Sequence, residues 1–354
     1  MNARQTIRCH PLGAHRVIDP AGAMPQQAWR LDNTPEIGEN EILCDVEALN
    51  IDSASFKQIA EACDGDARRI ADHISANVRQ RGKQHNAVTG SGGMFVGRVA
   101  EIGTQLRDRV DLHPGDRIAS LVSLTLTPLH IDEIRSVDVA RARVVMRGKA
   151  ILFSSSLWAR LPDDIDDGVA LAALDVAGAP AQVRRLCGEG QTVVIVGADG
   201  KSGLLSCAQA VAQVGPSGRV IGVVPDGTTA GAQLLRRCGL VHELVVADAR
   251  DALGTSAVVT ATCGLADVVV NCVNVGGTEL TSILCARDGG TVYFFSMATS
   301  FTAAALGAEG VGRDVTMIIG NGYTHGHAEI ALQTLRDRPE LHSYFMQTYA
   351  RETP

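Results

Sequence analysis

The chain has 354 residues, of which 45% are hydrophobic and 20% are charged, and its formal net charge is -7. Because a single hydrophobic core stops growing at roughly 250 to 300 residues, this length predicts two domains. The acidic balance offers no basic surface, so we expect a small-molecule partner, no nucleic acid and no membrane. No run approaches the roughly 20 apolar residues that span a bilayer, and residues 1–10 lack the apolar core of a signal peptide, so we expect a cytoplasmic protein.

The nine cysteines are scattered along the chain, and no two of them have C-x-x-C spacing. Neither a disulfide framework nor a four-cysteine zinc site is therefore expected. We interpret most of them as small buried apolar residues.

Residues 1–165 have the pattern of short strands separated by turns. Polar and apolar residues alternate over 41–46 and 95–102, and Gly115 and Asp116 predict a turn before a strand that starts at Arg117. One segment differs, because the apolar residues from Ala67 to Val78 have helical spacing. We therefore predict a β-rich, barrel-like domain with a helix inserted over 66–81.

Residues 166–322 instead alternate apolar, β-branched strands with helical stretches. Strands are predicted at 192–196, 219–224, 243–246, 267–271, 290–295 and 315–319. Strands that are apolar on both faces are typical of a parallel sheet covered by helices. This pattern predicts a Rossmann-type domain, followed by a helical segment over 323–354.

A glycine-rich turn joins the first of these strands to a helix. It consists of Gly197, Ala198, Asp199, Gly200, Lys201, Ser202 and Gly203. Such a turn needs glycine to reverse the chain tightly, to let a pyrophosphate approach the backbone and to pack the helix against the sheet. The turn predicts a dinucleotide site, with a ligand-free turn or a site for another adenosine ligand as alternatives.

Asp226 follows the second Rossmann strand, where an acidic side chain usually holds the ribose 2′-hydroxyl. No arginine is close in sequence to hold a 2′-phosphate, so NAD is favoured over NADP. Cofactors lie at the carboxyl ends of such strands, and four further residues are expected to flank the nicotinamide half: Asn271, Val273, Ser296 and Met297.

Two motifs resemble the medium-chain dehydrogenase/reductase superfamily: Gly97 to Gly103, and His113 to Ile118. The resemblance implies a GroES-like β-barrel catalytic domain over 1–165 and a Rossmann doubly wound parallel sheet over 166–322, an α/β fold. Zinc-dependent members of this superfamily carry a G-H-E triplet where this chain has Gly92, Gly93 and Met94, and a cysteine ligand where it has Asp52. Since both ligands are missing, we predict no zinc.

Five longer strings resemble the L-erythro-3,5-diaminohexanoate dehydrogenase family. They are residues 49–56, 85–94, 121–129, 174–182 and 296–301. The resemblance implies NAD-dependent oxidative deamination at C3 of an amino acid substrate, giving 5-amino-3-oxohexanoate and ammonia, in lysine fermentation. It also implies a homodimer through the edge of the Rossmann sheet.

Such a substrate carries two ammonium groups and one carboxylate, so its pocket needs fixed anions, one of which acts as a base or activates a water. Asp52 is the first candidate, because the superfamily's metal-ligand slot faces the reacting carbon. Asp175 is the second, because it precedes a segment that passes beside the nicotinamide in the superfamily. Either could instead only cap a helix or pair with a cation.

The substrate carboxylate is expected to bind the backbone and hydroxyl groups of 89–93, which include Ser91 and Gly92, or the charged Lys57. Ser53 lies beside Asp52 and is a further candidate. Ser123, Thr125 and Thr127 alternate along a predicted strand and are expected to line the pocket.

Two other interpretations remain open. A zinc-independent NAD(P)H-dependent enoyl or quinone reductase would also need no metal, but would have an apolar pocket. A non-catalytic dinucleotide-binding protein would bind NAD without turnover.

Overall fold

The computed structural model describes residues 9–87, 90–320 and 322–350, with Ser53 and Ala54 described by their backbone alone. The chain forms two compact units, Met1–Asp164 and Ile165–Pro354. Thr89, in the predicted carboxylate loop, lies outside the described residues.

The first unit contains a six-stranded antiparallel sheet in the order β6-β7-β3-β4-β5-β8, and a small β1-β2 ribbon. The long strands β3 and β4 are buried over most of their length, and the side chains of one face form the main hydrophobic core of this unit. The strands are β1 Val17–Asp19, β2 Arg30–Leu31, β3 Glu41–Asn50, β4 Met94–Ile102, β5 Arg117–Ser120, β6 Leu129–Asp138, β7 Arg143–Phe153 and β8 Trp158–Arg160.

Two helices follow β3, α1 Ser53–Ala62 and α2 Ala67–Arg81. Each begins at an aspartate that accepts a hydrogen bond from a backbone N–H of the first turn, Asp52 for α1 and Asp66 for α2. Such caps satisfy one of the free N–H groups at a helix start. The inserted helix that the apolar spacing predicts is confirmed as α2, with its apolar face buried against the sheet.

The segment before β3 is held by a buried ion pair between Arg16 and Glu41. The Arg16 guanidinium donates to both Glu41 carboxylate oxygens, at 2.9 and 2.7 Å, and both side chains are almost fully buried. Burial alone would raise the pKa of Glu41, but hydrogen bonds from His15, Arg16 and the Gly38 N–H outweigh it and lower that pKa to about 2.

The second unit contains a six-stranded sheet in the order β11-β10-β9-β12-β13-β14, in which every pairing is parallel. This order reverses direction at β9, as in dinucleotide-binding sheets. The strands are β9 Thr192–Val196, β10 Arg219–Val224, β11 Glu243–Val246, β12 Ala266–Asn271, β13 Ala286–Phe294 and β14 Val315–Ile319. All six predicted Rossmann strands are confirmed.

Helices cover this sheet and extend to the C-terminal segment. They are α3 Asp167–Leu174, α4 Gly178–Leu186, α5 Lys201–Val214, α6 Ala230–Arg237, α7 Ala252–Cys263, α8 Glu279–Cys285, α9 Phe301–Val311, α10 His327–Asp337 and α11 Pro339–Tyr349. The last two pack against the helices of this same unit. Within the described ranges, no helix combines the length and the apolar character that crossing a bilayer requires.

Candidate functional site

The three glycines of the strand-helix turn have three different environments. Gly197 has φ +79, a left-handed conformation that favours glycine. A Cβ on Gly203 would lie 2.6 Å from backbone atoms of Ala198 and closer still to the Gly197 carbonyl oxygen. A Cβ on Gly200 would meet nothing nearer than 3.9 Å, so the space above this residue is open. The turn, the close helix packing and the open approach that a pyrophosphate needs are all present.

Helix α5 begins directly after this open position. Its N-cap is Gly200, and no side chain caps the first turn, so these backbone N–H groups are available to an anion. Ala198 is fully buried, and the buried Ser202 lies beside the Cys272 thiol, so both face the interior. The Asp199 carboxylate accepts a hydrogen bond from the Thr229 hydroxyl at 2.9 Å.

Lys201 and Asp175 form an ion pair within the second unit. The ammonium donates to Asp175 Oδ2 at 2.7 Å, and the Tyr349 ring centroid lies 5.9 Å from the same nitrogen. The alternative that Asp175 pairs with a nearby cation therefore holds in this structure. If Asp175 contacts the substrate as predicted, it must do so while it is paired with Lys201.

Asp226 lies in an exposed turn after β10. Its Oδ1 accepts hydrogen bonds from the hydroxyl and the backbone N–H of Thr228, both at 2.7 Å, and these lower the pKa of the carboxyl. The prediction that no arginine lies near this turn is wrong, because Arg236 Nη1 donates to the Gly227 carbonyl at 2.8 Å. Helix α6 returns Arg236, which comes ten positions after Asp226 in the sequence, to this turn.

The residues predicted to flank the nicotinamide differ in their burial and in their hydrogen bonds. The Asn271 amide is buried and donates to the hydroxyls of Thr278 and Ser282 at 2.8 and 2.9 Å, so it shapes the loop after β12. Val273 contacts the Gly197 turn. Ser296 accepts a bond from the Ala298 N–H, and Met297 is 69% exposed.

The two carboxylate oxygens of Asp52 have different surroundings. Its Oδ1 accepts the Ser55 N–H at 2.9 Å, which accounts for its role as the α1 cap. Its Oδ2 is buried and has no hydrogen-bond partner among the described residues. A buried carboxylate oxygen costs free energy unless a donor meets it, so this atom is suited to an incoming ammonium group.

The Gly92-Gly93 turn lies against Asp52. A Cβ on Gly93 would lie 2.6 Å from Ile51 Cα and 2.9 Å from the Asp52 nitrogen, and φ here is +81. A Cβ on Gly92 would lie 2.9 Å from the Thr125 nitrogen. The turn therefore packs tightly between these two segments, and position 93, where zinc-dependent relatives of the superfamily carry histidine, admits no side chain in this conformation.

The prediction that Ser123, Thr125 and Thr127 lie on one strand is wrong, because this segment forms a turn. Ser123 Oγ accepts the Thr125 N–H at 3.3 Å, and the Thr127 hydroxyl donates to the Ser123 carbonyl at 3.2 Å. Short hydroxyl side chains compete in this way for local backbone groups. Ser123 Oγ also accepts the Gly92 N–H at 3.1 Å, so this turn does contact the glycine loop.

The other predicted substrate residues are less informative. Lys57 is 77% exposed and lies 3.9 Å from Glu61 on the surface of α1. The Ser53 side chain lies outside the described part of the chain. The carbonyl of Ser91 accepts the Asn86 N–H at 2.8 Å, which closes the loop on itself.

Two residues that the sequence patterns did not single out lie at the start of this loop. Lys83 is fully buried and donates to the carbonyls of Pro25 and Gln26 at 2.6 and 3.1 Å. His85 Nδ1 is hydrogen-bonded to the hydroxyl of Thr125, which is itself buried. His85 begins the 85–94 string that resembles the family, but nothing in that string sets it apart from its neighbours, and only burial and partners single out the two residues.

Among the described residues, Cys9, His15 and Glu41 place potential metal-ligand atoms within 4.8 Å of one another. The Glu41 carboxylate already accepts four hydrogen bonds, from His15, the Gly38 N–H and two Arg16 nitrogens. With both oxygens engaged by donors, this group is better explained as an anchor for the N-terminal segment than as a metal site.

Comparison with known proteins identifies the family. A sequence model of the L-erythro-3,5-diaminohexanoate dehydrogenase N-terminal domain matches residues 15–162. The chain is 53% identical over 341 residues to the L-erythro-3,5-diaminohexanoate dehydrogenase of Acetoanaerobium sticklandii, over 95% of this chain and 98% of that protein. The chain belongs to the L-erythro-3,5-diaminohexanoate dehydrogenase family. A second member, from Fusobacterium nucleatum, is 51% identical over 339 residues, with the same two coverages of 95% and 98%.

Membership of the L-erythro-3,5-diaminohexanoate dehydrogenase family makes the chain a dehydrogenase and confirms the predicted family. Among solved structures, the quinone oxidoreductase from Coxiella burnetii is similar, with a TM-score of 0.54 and 17% identity over 86% of this chain and 82% of that one. At this identity the likeness concerns the fold alone. It agrees with the antiparallel and parallel sheets of the two units, and the predicted α/β class, a GroES-like and a Rossmann domain, is confirmed.

Proposed function

We propose that this protein catalyses the NAD-dependent oxidative deamination of L-erythro-3,5-diaminohexanoate at C3, giving 5-amino-3-oxohexanoate and ammonia, in lysine fermentation. Two relatives that carry this enzyme's name share half of their residues with the chain over nearly its whole length. The structural observation that carries the proposal is the buried Oδ2 of Asp52, which has no hydrogen-bond partner in the part of the chain that the structure describes.

Asp52 acts as the counter-ion of the C3 ammonium group. Its Oδ1 is fixed by the helix cap, so the carboxylate is already oriented before substrate arrives, and Oδ2 accepts a charge-assisted hydrogen bond from the ammonium. The ammonium gives a proton to the Asp52 carboxylate or to a water beside it, which leaves a neutral amine. The nitrogen lone pair then forms a C=N bond as the C3–H bond breaks, and the hydride would pass to the oxidised nicotinamide. Water adds to this bond and ammonia leaves, which produces the ketone.

The glycine turn and the first turn of α5 would hold the pyrophosphate of the dinucleotide, with Asp226 at the ribose. Oxidised nicotinamide supplies a hydride acceptor when it is bound. Gly200 leaves room for a phosphate, and the N–H groups after it point out of an uncapped helix start. This arrangement fits the cofactor.

The proposed reaction uses no zinc. A Lewis acid eases the conversion of an alcohol to an alkoxide, whereas the lone pair of a neutral amine expels hydride without one. The residues at the two superfamily ligand positions support this, because Asp52 caps a helix and Gly93 has no room for a side chain.

The test is the rate of NADH formation with L-erythro-3,5-diaminohexanoate, compared with simple alcohols and β-amino acids. Asp52→Asn is expected to lower kcat/KM by about 10- to 100-fold, because a hydrogen bond to a charged group contributes roughly 1.5 to 3 kcal/mol. Binding of NAD, followed by calorimetry, should not change.

Asp66→Asn is the matched control. Asp66 caps α2 through one oxygen, at 2.8 Å from the Arg69 nitrogen, just as Asp52 caps α1. Both variants therefore replace a capping carboxylate by an amide whose oxygen can still cap the helix, and they differ only in what the second oxygen is proposed to bind. Only the Asp52 variant should lose activity. Equal activity in the two variants would refute the role of Asp52, and turnover of enones or quinones in place of the diamino acid would favour the reductase alternative.

A further inference from the structure

The proposed function leaves the substrate carboxylate without a binding group, and the loop over 83–93 offers one. We propose that His85 binds this carboxylate through its Nε2–H and thereby aligns C3 with Asp52. This assignment rests on the proposed function. It concerns the first unit alone, where both residues lie.

The ring of His85 is held in place at one nitrogen. Nδ1 is hydrogen-bonded to the Thr125 hydroxyl, which is buried, while Nε2 has no hydrogen-bond partner among the described residues. When the hydroxyl donates to Nδ1, the ring proton is on Nε2, and the free nitrogen is a donor. A fixed donor of this kind is complementary to a carboxylate oxygen.

Two cations give this part of the loop a positive potential. Lys83 donates to two carbonyls, and Arg81 Nε donates to the Trp29 carbonyl at 3.1 Å. In the described part of the chain, no carboxylate pairs with either of them. Their charges are therefore held by neutral partners and remain available to attract an anion.

The same surroundings keep His85 neutral in the free enzyme. Burial, followed by the charges of Arg81 and Lys83, lowers the pKa of His85 to about 4. Burial, followed by Arg81, lowers the pKa of Lys83 to about 8, so this ammonium is still charged at neutral pH. A neutral imidazole adds no further positive charge beside the ammonium groups of the substrate.

Three other candidate groups for the carboxylate are already engaged or remote. The Gly90 N–H donates to the Asn86 carbonyl at 2.9 Å, and the Gly92 N–H donates to Ser123 Oγ at 3.1 Å. Lys57 is on the outer surface of α1. Compared with these three, His85 combines a free polar nitrogen with a fixed position.

Contacts also place His85 near Asp52. Thr125, the partner of His85, packs against Gly92, and Gly93 packs against the Asp52 nitrogen. Asn86, next to His85, donates to the Ser55 carbonyl in the first turn of α1. Because one methylene separates the carboxylate from C3, the proposal requires the two binding groups to lie side by side, and these contacts link the segments that carry them.

The experiment compares His85→Gln with His85→Leu in the full-length enzyme. A glutamine amide can donate as the neutral imidazole does, whereas leucine cannot. With diaminohexanoate, the leucine variant should raise KM tenfold or more, by about the strength of a hydrogen bond to a charged group, while kcat stays within threefold. The glutamine variant should keep KM within threefold. Matched substitutions of His73, an exposed residue on α2, should change neither constant.

A KM in the leucine variant equal to that of the unmodified enzyme would overturn the proposal, as would equal losses in both variants or a fall in kcat alone. Unmodified enzyme that does not turn over diaminohexanoate would instead overturn the proposed function itself.

Two competitive inhibitors identify the group that His85 contacts. 3-Aminohexanoate keeps the carboxylate and lacks the second amine, while pentane-2,4-diamine keeps both amines and lacks the carboxylate. The leucine variant should weaken inhibition by 3-aminohexanoate and leave that by pentane-2,4-diamine unchanged. The reverse pattern would assign His85 to the second ammonium and overturn the proposal.

Discussion

Replacing single glycines of the strand-helix turn separates its structural role from its ligand-binding role. In Gly203→Ala the new Cβ would lie 2.6 Å from Ala198 backbone atoms. Carbon atoms in contact are about 3.5 to 4.0 Å apart, so turn and helix must separate by roughly 0.9 Å. Overpacking of this kind costs about 1 to 3 kcal/mol. Because the nearest atoms are all backbone, we expect the upper end.

Alanine is normally favoured over glycine inside a helix by about 1 kcal/mol, so the net loss of stability should be about 2 kcal/mol. For a unit of this size that lowers the melting temperature by about 4 to 8 °C. Because the N–H groups of the first turn of α5 would also move, KM for NAD should rise by about tenfold or more. A loss of about 1.4 kcal/mol in binding free energy is enough for a tenfold loss of affinity.

Gly200→Ala and Gly310→Ala complete the series. A Cβ on Gly200 meets nothing nearer than 3.9 Å, so stability should fall by no more than about 1 kcal/mol, from the poorer N-cap. KM for NAD should nevertheless rise at least tenfold, because the methyl group occupies the phosphate approach. Gly310, in α9, has no atom within 4 Å of its Cβ position and should change neither quantity for the worse. A normal KM for NAD in Gly200→Ala would refute the placement of the pyrophosphate.

Three further predictions concern other parts of the molecule. Glu41→Gln should lower the free energy of unfolding by about 3 to 5 kcal/mol, as when one partner of a buried ion pair is removed. Because the pKa of Glu41 is lowered from 4.5 to about 2 in the folded state, its contribution to the stability of the unmodified enzyme is complete above pH 4.5 and is lost as the pH falls towards 2. Urea unfolding at a series of pH values would show this loss. Asp226→Ser should raise KM for NAD, and Arg236→Ala should weaken NADP use, because the two side chains lie at the same turn; unchanged ratios of kcat/KM for the two cofactors would contradict this. Ile319→Lys tests the predicted homodimer through the sheet edge, because Ile319 is 51% exposed in the edge strand β14. Light scattering should report dimers for the unmodified protein and monomers for the variant, and an unaltered mass would rule out this interface.

The Rossmann sheet could be predicted almost residue by residue, because parallel strands buried on both faces leave an apolar, β-branched signature in the sequence. Residues 192–196, 219–224, 243–246 and 315–319 match the observed strands at both ends. Signals of this kind are local, so they do not depend on how distant segments meet.

The candidate site could be predicted only in part. Asp52 was found because a family pattern fixes its position, and Gly197 because strand and helix flank it. Arg236 was missed because helix α6 returns it to the cofactor turn. The sequence does not single out His85 as a candidate, because its proposed role depends on a nitrogen that has no partner among the described residues, which no spacing in the sequence encodes. The strand prediction at Ser123 is wrong for another reason, since its hydroxyl accepts the N–H of Thr125 and so favours a local turn.

Lys83 ties the loop that carries His85 to a stretch of chain almost 60 positions earlier, since its ammonium is received by the carbonyls of Pro25 and Gln26. A truncation that removes Pro25 and Gln26 would leave this buried ammonium without its acceptors and would release the loop. Truncated variants made for crystallisation or for immobilised biocatalysts should therefore lose affinity for the amino acid substrate before they lose affinity for the dinucleotide.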